Sequence, residues 1–223
     1  ISQHTKDNIV REYGKEANDV VVTYLAYDKT LFKPTRDEKV LKKYSITQPY
    51  ILYLGSLKPS KNIEGLVKAF SQLSTVNCEL VIAGKKAWLF EKIFALVKEL
   101  KLEDRVIFTG FVEESEKPVL MTMAQVFIMP SFYEGFGIPV LEAMACGTPT
   151  VISQVASLPE VAGDAGIYVD PTSIESITLG MEAVLGAKGK EFAAKGLKRV
   201  ELFSWAKCAQ ATLQCLETVM ENY

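Results

Sequence analysis

A single histidine, His4, is all that the 223-residue chain carries, and its four cysteines, Cys78, Cys146, Cys208 and Cys215, form no Cys-x-x-Cys pair. Both shortages argue against a zinc site, and free thiols in a reducing compartment are the simplest state of the cysteines. Charge of one sign is scarce as well. The 25 Lys and Arg against 27 Asp and Glu leave a net charge of −2, which gives no broad basic face for nucleic acid while still permitting a local basic pocket. No apolar run reaches eighteen residues, so no membrane-spanning helix is expected. Ile1-Ser2-Gln3-His4-Thr5 turns polar at its second residue, unlike a secretory leader. The chain opens on isoleucine, which fits a fragment or a processed product. No G-x-x-x-x-G-K-[ST] loop occurs, and the one Gly-x-Gly, at 135 and 137, follows the fourth predicted strand without a third glycine, which disfavours a nicotinamide dehydrogenase. Internal repeats and low-complexity segments are absent too.

What is present is a chain with 48% hydrophobic residues, ordinary for a domain with a sizeable core, and a regular alternation of elements. Ile51-Leu52-Tyr53-Leu54 is a continuous apolar run ending at Gly55, and Asn62 then stands where it can cap a helix bearing Ile63, Leu66, Val67, Phe70 and Leu73. Leu80–Ala83 repeats the format before Gly84, and a helix through Leu89, Ile93, Leu96, Val97 and Leu100 is expected after it. Further strands are expected at Val106–Phe108, Val126–Met129, Thr150–Ile152 and Gly166–Val169, with helices near 114–124 and 139–146, the latter ended by Gly147. Runs that are apolar throughout indicate burial on both faces, hence a parallel sheet of about six strands with helices on each side, a doubly wound α/β fold. The ends differ from this core. Residues 1–44 predict a helix near 5–14, a strand at Val20–Thr23 and a linker with Asp28, Phe32 and Pro34. The tail from Phe203 carries a long stripe with Leu213, Leu216 and Val219.

Ligands of open α/β sheets bind at the carboxyl ends of the strands. After the first strand, Gly55-Ser56-Leu57-Lys58-Pro59-Ser60-Lys61-Asn62 offers bare backbone and two lysines, suited to phosphate or equally to plain solvation. After the fourth, SFYEGFGIPVLEAMACGTP (131–149) sets Glu134 and Glu142 eight residues apart around Gly135, Phe136, Gly137 and Ile138. Pro139 in the first helical turn leaves neighbouring amides free for an anion, and each carboxylate can accept from vicinal hydroxyls of a sugar or ribose. The competing view makes Glu142 an exposed helix residue and Glu134 a partner of the helix dipole.

These residues, continuing through Met144–Val151 and Ser157-Leu158-Pro159-Glu160-Val161-Ala162-Gly163-Asp164-Ala165-Gly166, resemble the E-x7-E signature of the family 4 retaining glycosyltransferases, over roughly residues 20–185. The resemblance implies the C-terminal, Rossmann-like half of a GT-B fold, which holds a nucleoside-diphosphate sugar. It further implies transfer of a hexose to a saccharide or lipid-linked acceptor in cytoplasmic polysaccharide biosynthesis, with no cofactor or metal. Carried over by position, Glu134 binds the transferred sugar and Lys61 the diphosphate, together the catalytic pair. Gly55, Ser56 and Lys58 line the phosphate loop, Gly135 to Ile138 approach sugar and phosphate, Leu141 belongs to the same segment, Glu142 accepts from ribose, and main chain at Phe111-Val112 borders the base. Ser56 and Ser60 stand where many relatives carry arginine, whose bidentate fork Lys58 does not reproduce. The resemblance implies a division into a remnant of an acceptor domain and linker (1–34), a donor domain (35–202) and a returning helix (203–223). It implies too that the rest of an N-terminal domain is a partner, through which the enzyme associates with the membrane face. His4 is read as a bystander on the remnant helix. The alternatives are a non-catalytic sugar-nucleotide-binding subunit working with a separate acceptor chain, and a degenerate interaction module.

Overall fold

The computed structural model describes residues 1–73, 77–85 and 91–221. The expected helix position Leu89 and the last two residues of the tail lie outside these. Six parallel strands form one sheet: β1 (Tyr50–Leu54), β2 (Glu79–Ala83), β3 (Val106–Gly110), β4 (Val126–Met129), β5 (Thr150–Ser153) and β6 (Gly166–Val169), in the order β3-β2-β1-β4-β5-β6. Consecutive strands run outward from β1 to β3, and the order then reverses at β4, which pairs with β1 through Ile51↔Val126 and Leu52↔Phe127. The expected doubly wound sheet is therefore the one observed.

Ten α-helices are described: α1 (Gln3–Tyr13), α2 (Glu38–Lys43), α3 (Ile63–Ser71), α4 (Glu91–Glu99), α5 (Lys117–Met123), α6 (Ile138–Ala145), α7 (Leu158–Ala162), α8 (Ile174–Ala183), α9 (Gly189–Arg199) and α10 (Trp205–Glu221). Every residue of β1 is buried, because successive side chains enter two different cores. Ile51 and Tyr53 pack with Leu66 and Phe70 of α3 and Ile177 of α8. Tyr50, Leu52 and Leu54 pack with Leu120 of α5 and Val140 and Leu141 of α6. This two-sided burial is why the strands read as unbroken apolar runs.

Two local expectations are corrected. Asn62 does stand at the start of α3, but in the left-handed region (φ 56) and without a capping bond. Its amide instead donates to the carbonyl of Pro171, 2.7 Å away, tying the β1–α3 turn to the segment after β6. Val20–Thr23 forms no strand. Val21 is 53% exposed and finds no neighbouring edge to pair with among the described residues, and an isolated extended segment has no ladder to hold it. Gly147 behaves as expected: at φ +77 it ends α6, with its amide on Met144 O and that of Thr148 on Ala143 O, the double bond of a Schellman cap.

Along α10, Leu213, Leu216, Val219 and Met220 are all more than half exposed. The tail's apolar stripe is thus open among the described residues.

Candidate functional site

The reversal between β1 and β4 leaves a crevice at the carboxyl ends of these strands, the place where doubly wound sheets hold ligands. Its floor is made of glycine. Gly55 N donates to Ala83 O and Gly84 N to Gly110 O, both at 2.9 Å, which terraces the ends of β1, β2 and β3. A Cβ on Gly84 would stand 1.9 Å from the carbonyl oxygen of Gly55, so no side chain fits at that step.

The loops after β1 and β4 are fastened across the crevice. Phe132 N donates to Ser60 O at 2.9 Å. Lys61 Nζ lies 2.6 Å from Glu134 Oε1, and Ser131 Oγ donates to the same oxygen at 2.8 Å. Ser157, from the loop before α7, donates to the carbonyl of Glu134 at 2.9 Å. Glu134 is 9% exposed, and a charge this buried persists only when paired and hydrogen-bonded. Beneath the loop, Tyr53 Oη donates to Ser56 O at 3.0 Å, and burial beside the Glu134 charge pushes its phenol well above the ordinary range.

The chain then turns through Gly137, whose φ of +99 lies where residues with a side chain are strained. Among the described residues, none of the amides from Gly135 to Ile138 donates to a protein acceptor. Phe136, Gly137 and Ile138 line a cleft of about 310 Å3 with Gly55, Ser56, Lys61, Glu134 and Pro139, whereas Gly135, expected on the same site, does not line it and lies beside Ile1. A second cleft of about 240 Å3 shares Leu54, Gly55 and Ser56 with it and runs to Gly84, Lys85, Phe111, Val112 and Lys117.

Glu142 sits on α6, just over one turn beyond Ile138. Its half-buried carboxylate accepts no hydrogen bond from the described residues. Burial lifts its pKa from the usual 4.5 to about 7, a rise opposed by the Lys117 charge and supported by that of Glu114. The two glutamates are thus in different states, one fully engaged and the other unsatisfied.

The structure brings Gly55, Ser56, Lys61, Glu134, Phe136, Gly137 and Ile138 together on one cleft, and places Val112 on its continuation. Leu141 is fully buried in the core between α6 and the sheet, so its side chain faces no cleft. Lys58 lines a separate groove with Asn62, Lys68, Lys92 and Phe132. Being extended (ψ 152) and outside the 3-10 turn Pro59–Lys61, it does not share a face with Lys61. His4 is no remote residue. Its ring lies 5.8 Å from that of Tyr133, the neighbour of Glu134, because the carboxylate of Glu160 accepts from the amides of Gln3 and His4 at the start of α1. Ser131, Ser157, Tyr53 and Lys85 were not singled out from sequence. Only Ser131, three residues before Glu134 at a strand end, has a local signal. Among the described residues no three His, Cys, Asp or Glu come together as a metal cluster would require.

Fold and crevice define the class as a doubly wound α/β domain presenting backbone amides, Lys61 and Glu134 at its switch point, while Glu142, further along α6, is not among the residues lining either cleft. The family model described as glycosyl transferases group 1 matches residues 36–195, and the chain belongs to that family. O-antigen chain mannosyltransferase B of Escherichia coli is 36% identical over 221 residues, covering 96% of this chain and 58% of the relative. Among solved structures, sucrose-phosphate synthase from Thermosynechococcus elongatus superposes with a TM-score of 0.87 at 25% identity, over 100% of this chain and 58% of that one. Anabaena HepE in complex with UDP and glucose gives 0.85 at 21% identity, over 98% and 61%. The chain therefore spans somewhat more than half the length of these proteins.

Proposed function

We propose that this chain is the donor-binding part of a retaining hexosyltransferase that takes a nucleoside-diphosphate sugar and glycosylates a saccharide or lipid-linked acceptor. The observation that carries this reading is the Lys61–Glu134 pair at 2.6 Å, set beside the amides at the start of α6 that find no acceptor among the described residues. A cation and a helix N-terminus suit a diphosphate, and an adjacent carboxylate suits sugar hydroxyls. In this arrangement the diphosphate lies along Gly135–Ile138, the hexose against Glu134 and the ribose towards Glu142. As the glycosidic bond to the diphosphate breaks, negative charge grows on the leaving oxygen. Lys61 and the amides meet it already oriented, because Glu134 holds the ammonium in place, and preoriented charge is the largest single contribution in most active sites. No metal is needed for that task.

The longer relatives, together with the open apolar stripe of α10, support a further domain that supplies the acceptor wall and packs on residues 203–221. The tests are a thermal shift and a product analysis. Uridine, guanosine or adenosine diphosphate at a hundred times its dissociation constant should stabilise the chain by about 2.7 kcal/mol, and no shift with any of them refutes donor binding. With a longer version of the enzyme and a saccharide acceptor, NMR of the product should show the anomeric configuration of the donor. An inverted product refutes retention.

A further inference from the structure

Three lysines line the continuous cleft, and their surroundings differ. Lys61 is held by Glu134 and Lys117 by Glu114. Lys85 has no carboxylate partner and no side-chain hydrogen bond among the described residues. Its ammonium lies against an aromatic face, Nζ standing 4.8 Å from the ring centroid of Phe111. The backbone fixes this placement: the Gly84–Gly110 bond sets the β2 and β3 ends side by side, while Leu57 N donates to Lys85 O at 3.4 Å. Phe111 is itself 52% exposed. Among the described residues, the cleft lysine without a carboxylate partner therefore stands at the end away from Lys61 and the α6 amides, the latter being where phosphate is expected.

On the donor reading above, the end of about 240 Å3 takes the base. Main chain at Val112 can both donate and accept, as can the Ser56 hydroxyl, so neither discriminates. A lysine ammonium only donates. Guanine presents O6 and N7 as acceptors, and uracil presents O4; adenine replaces that carbonyl with an amino group, a donor beside N7. We infer that Lys85, held over Phe111, reads the base of the donor nucleotide and selects one that carries a carbonyl oxygen, guanine or uracil, against adenine. The inference rests on the donor cleft being where it is proposed to be.

Calorimetry with guanosine, uridine and adenosine diphosphates tests it on the chain and on Lys85→Met, which keeps the aliphatic stem. The side chain is exposed, so folding should be retained, with the melting temperature as control. The chain should bind guanosine or uridine diphosphate more tightly than adenosine diphosphate. In Lys85→Met the preferred ligand should weaken roughly tenfold, as for a lost charge-assisted hydrogen bond, with adenosine diphosphate changed less than about twofold. Lys85→Arg, which keeps the donors, should preserve most of the preference. A preference for adenosine diphosphate, equal losses on all three, or no loss at all overturns the role of Lys85 and leaves the donor cleft standing. A folded chain that binds none of the three overturns the donor reading, and this inference with it.

Discussion

Glu134 and Glu142 flank the same bare backbone, yet the protein treats them in opposite ways. Glu134 is nearly inaccessible and is fixed by Lys61 and Ser131, with Ser157 holding its carbonyl. Glu142 is partly buried and accepts nothing from the described residues, so that burial lifts its pKa to about 7. Unsatisfied burial of a carboxylate costs stability. The contrast is between an assembled end, where Lys61 and Ser131 hold Glu134, and a carboxylate that the described residues leave without a donor; on the donor reading proposed above, the ligand supplies that donor.

The sharpest way to break this comparison is at the assembled end. In Lys61→Ala, Glu134 keeps only Ser131, and the diphosphate loses its cation. Affinity for nucleoside diphosphates should fall by about 1.5–3 kcal/mol, the range for a hydrogen bond to a charged group, whereas the parent nucleosides should bind nearly as before. Titration of both ligand types checks it, and equal losses would remove Lys61 from the phosphate site.

Glu142 is expected to give an effect on the order of 1–3 kcal/mol, visible through pH. Its native pKa of about 7 exceeds the ordinary 4.5, so between these values the folded chain binds more protons than the unfolded one. Stability from this group is present in full below about pH 4.5 and is lost as pH rises through 7. Glu142→Gln should therefore be more stable than the natural chain at pH 8 and indistinguishable from it at pH 4.5, measured by denaturant unfolding. Ligand binding should move the opposite way. Ribose hydroxyls donate to the ionised form, so the affinity of the natural chain should decline as pH drops below 7 and that of the variant should stay flat. Matching pH profiles would place Glu142 outside the ribose site.

How much of this was legible in the sequence follows from the range of each interaction. Six strands could be read because several end at a local marker, such as Gly55 after Leu54 or Pro130 after Met129, and because burial on both faces leaves continuous apolar runs. Asn62 was misread because a capping residue and a left-handed turn residue look alike in sequence, and the choice was made by Pro171, 109 positions away. Glu134 and Glu142 could be named from their shared segment, but their different states could not. The partner of Glu134 lies 73 residues back, and nothing adjacent to Glu142 announces that it has none. Lys58 and Lys61 looked equivalent three residues apart until the extended backbone at Lys58 turned one of them into another groove.

The smallest expected effect separates the carboxylate of Glu134 from its backbone. Ser157 is fully buried and its hydroxyl donates to the carbonyl of Glu134, while that of Ser131 donates to the carboxylate. Ser157→Ala leaves that carbonyl without its donor and should cost about 1 kcal/mol of stability, with nucleotide affinity unchanged because the Lys61–Glu134 geometry survives. Ser131→Ala should cost a similar amount of stability but also lower affinity for the sugar-bearing donor relative to the bare diphosphate, since the carboxylate it orients is the one assigned to the hexose. Paired unfolding and binding measurements on the two variants distinguish a loop held by its main chain from one held by its charge. Equal binding losses would mean that the loop moves as a unit and that the assembled end owes its order to both serines alike.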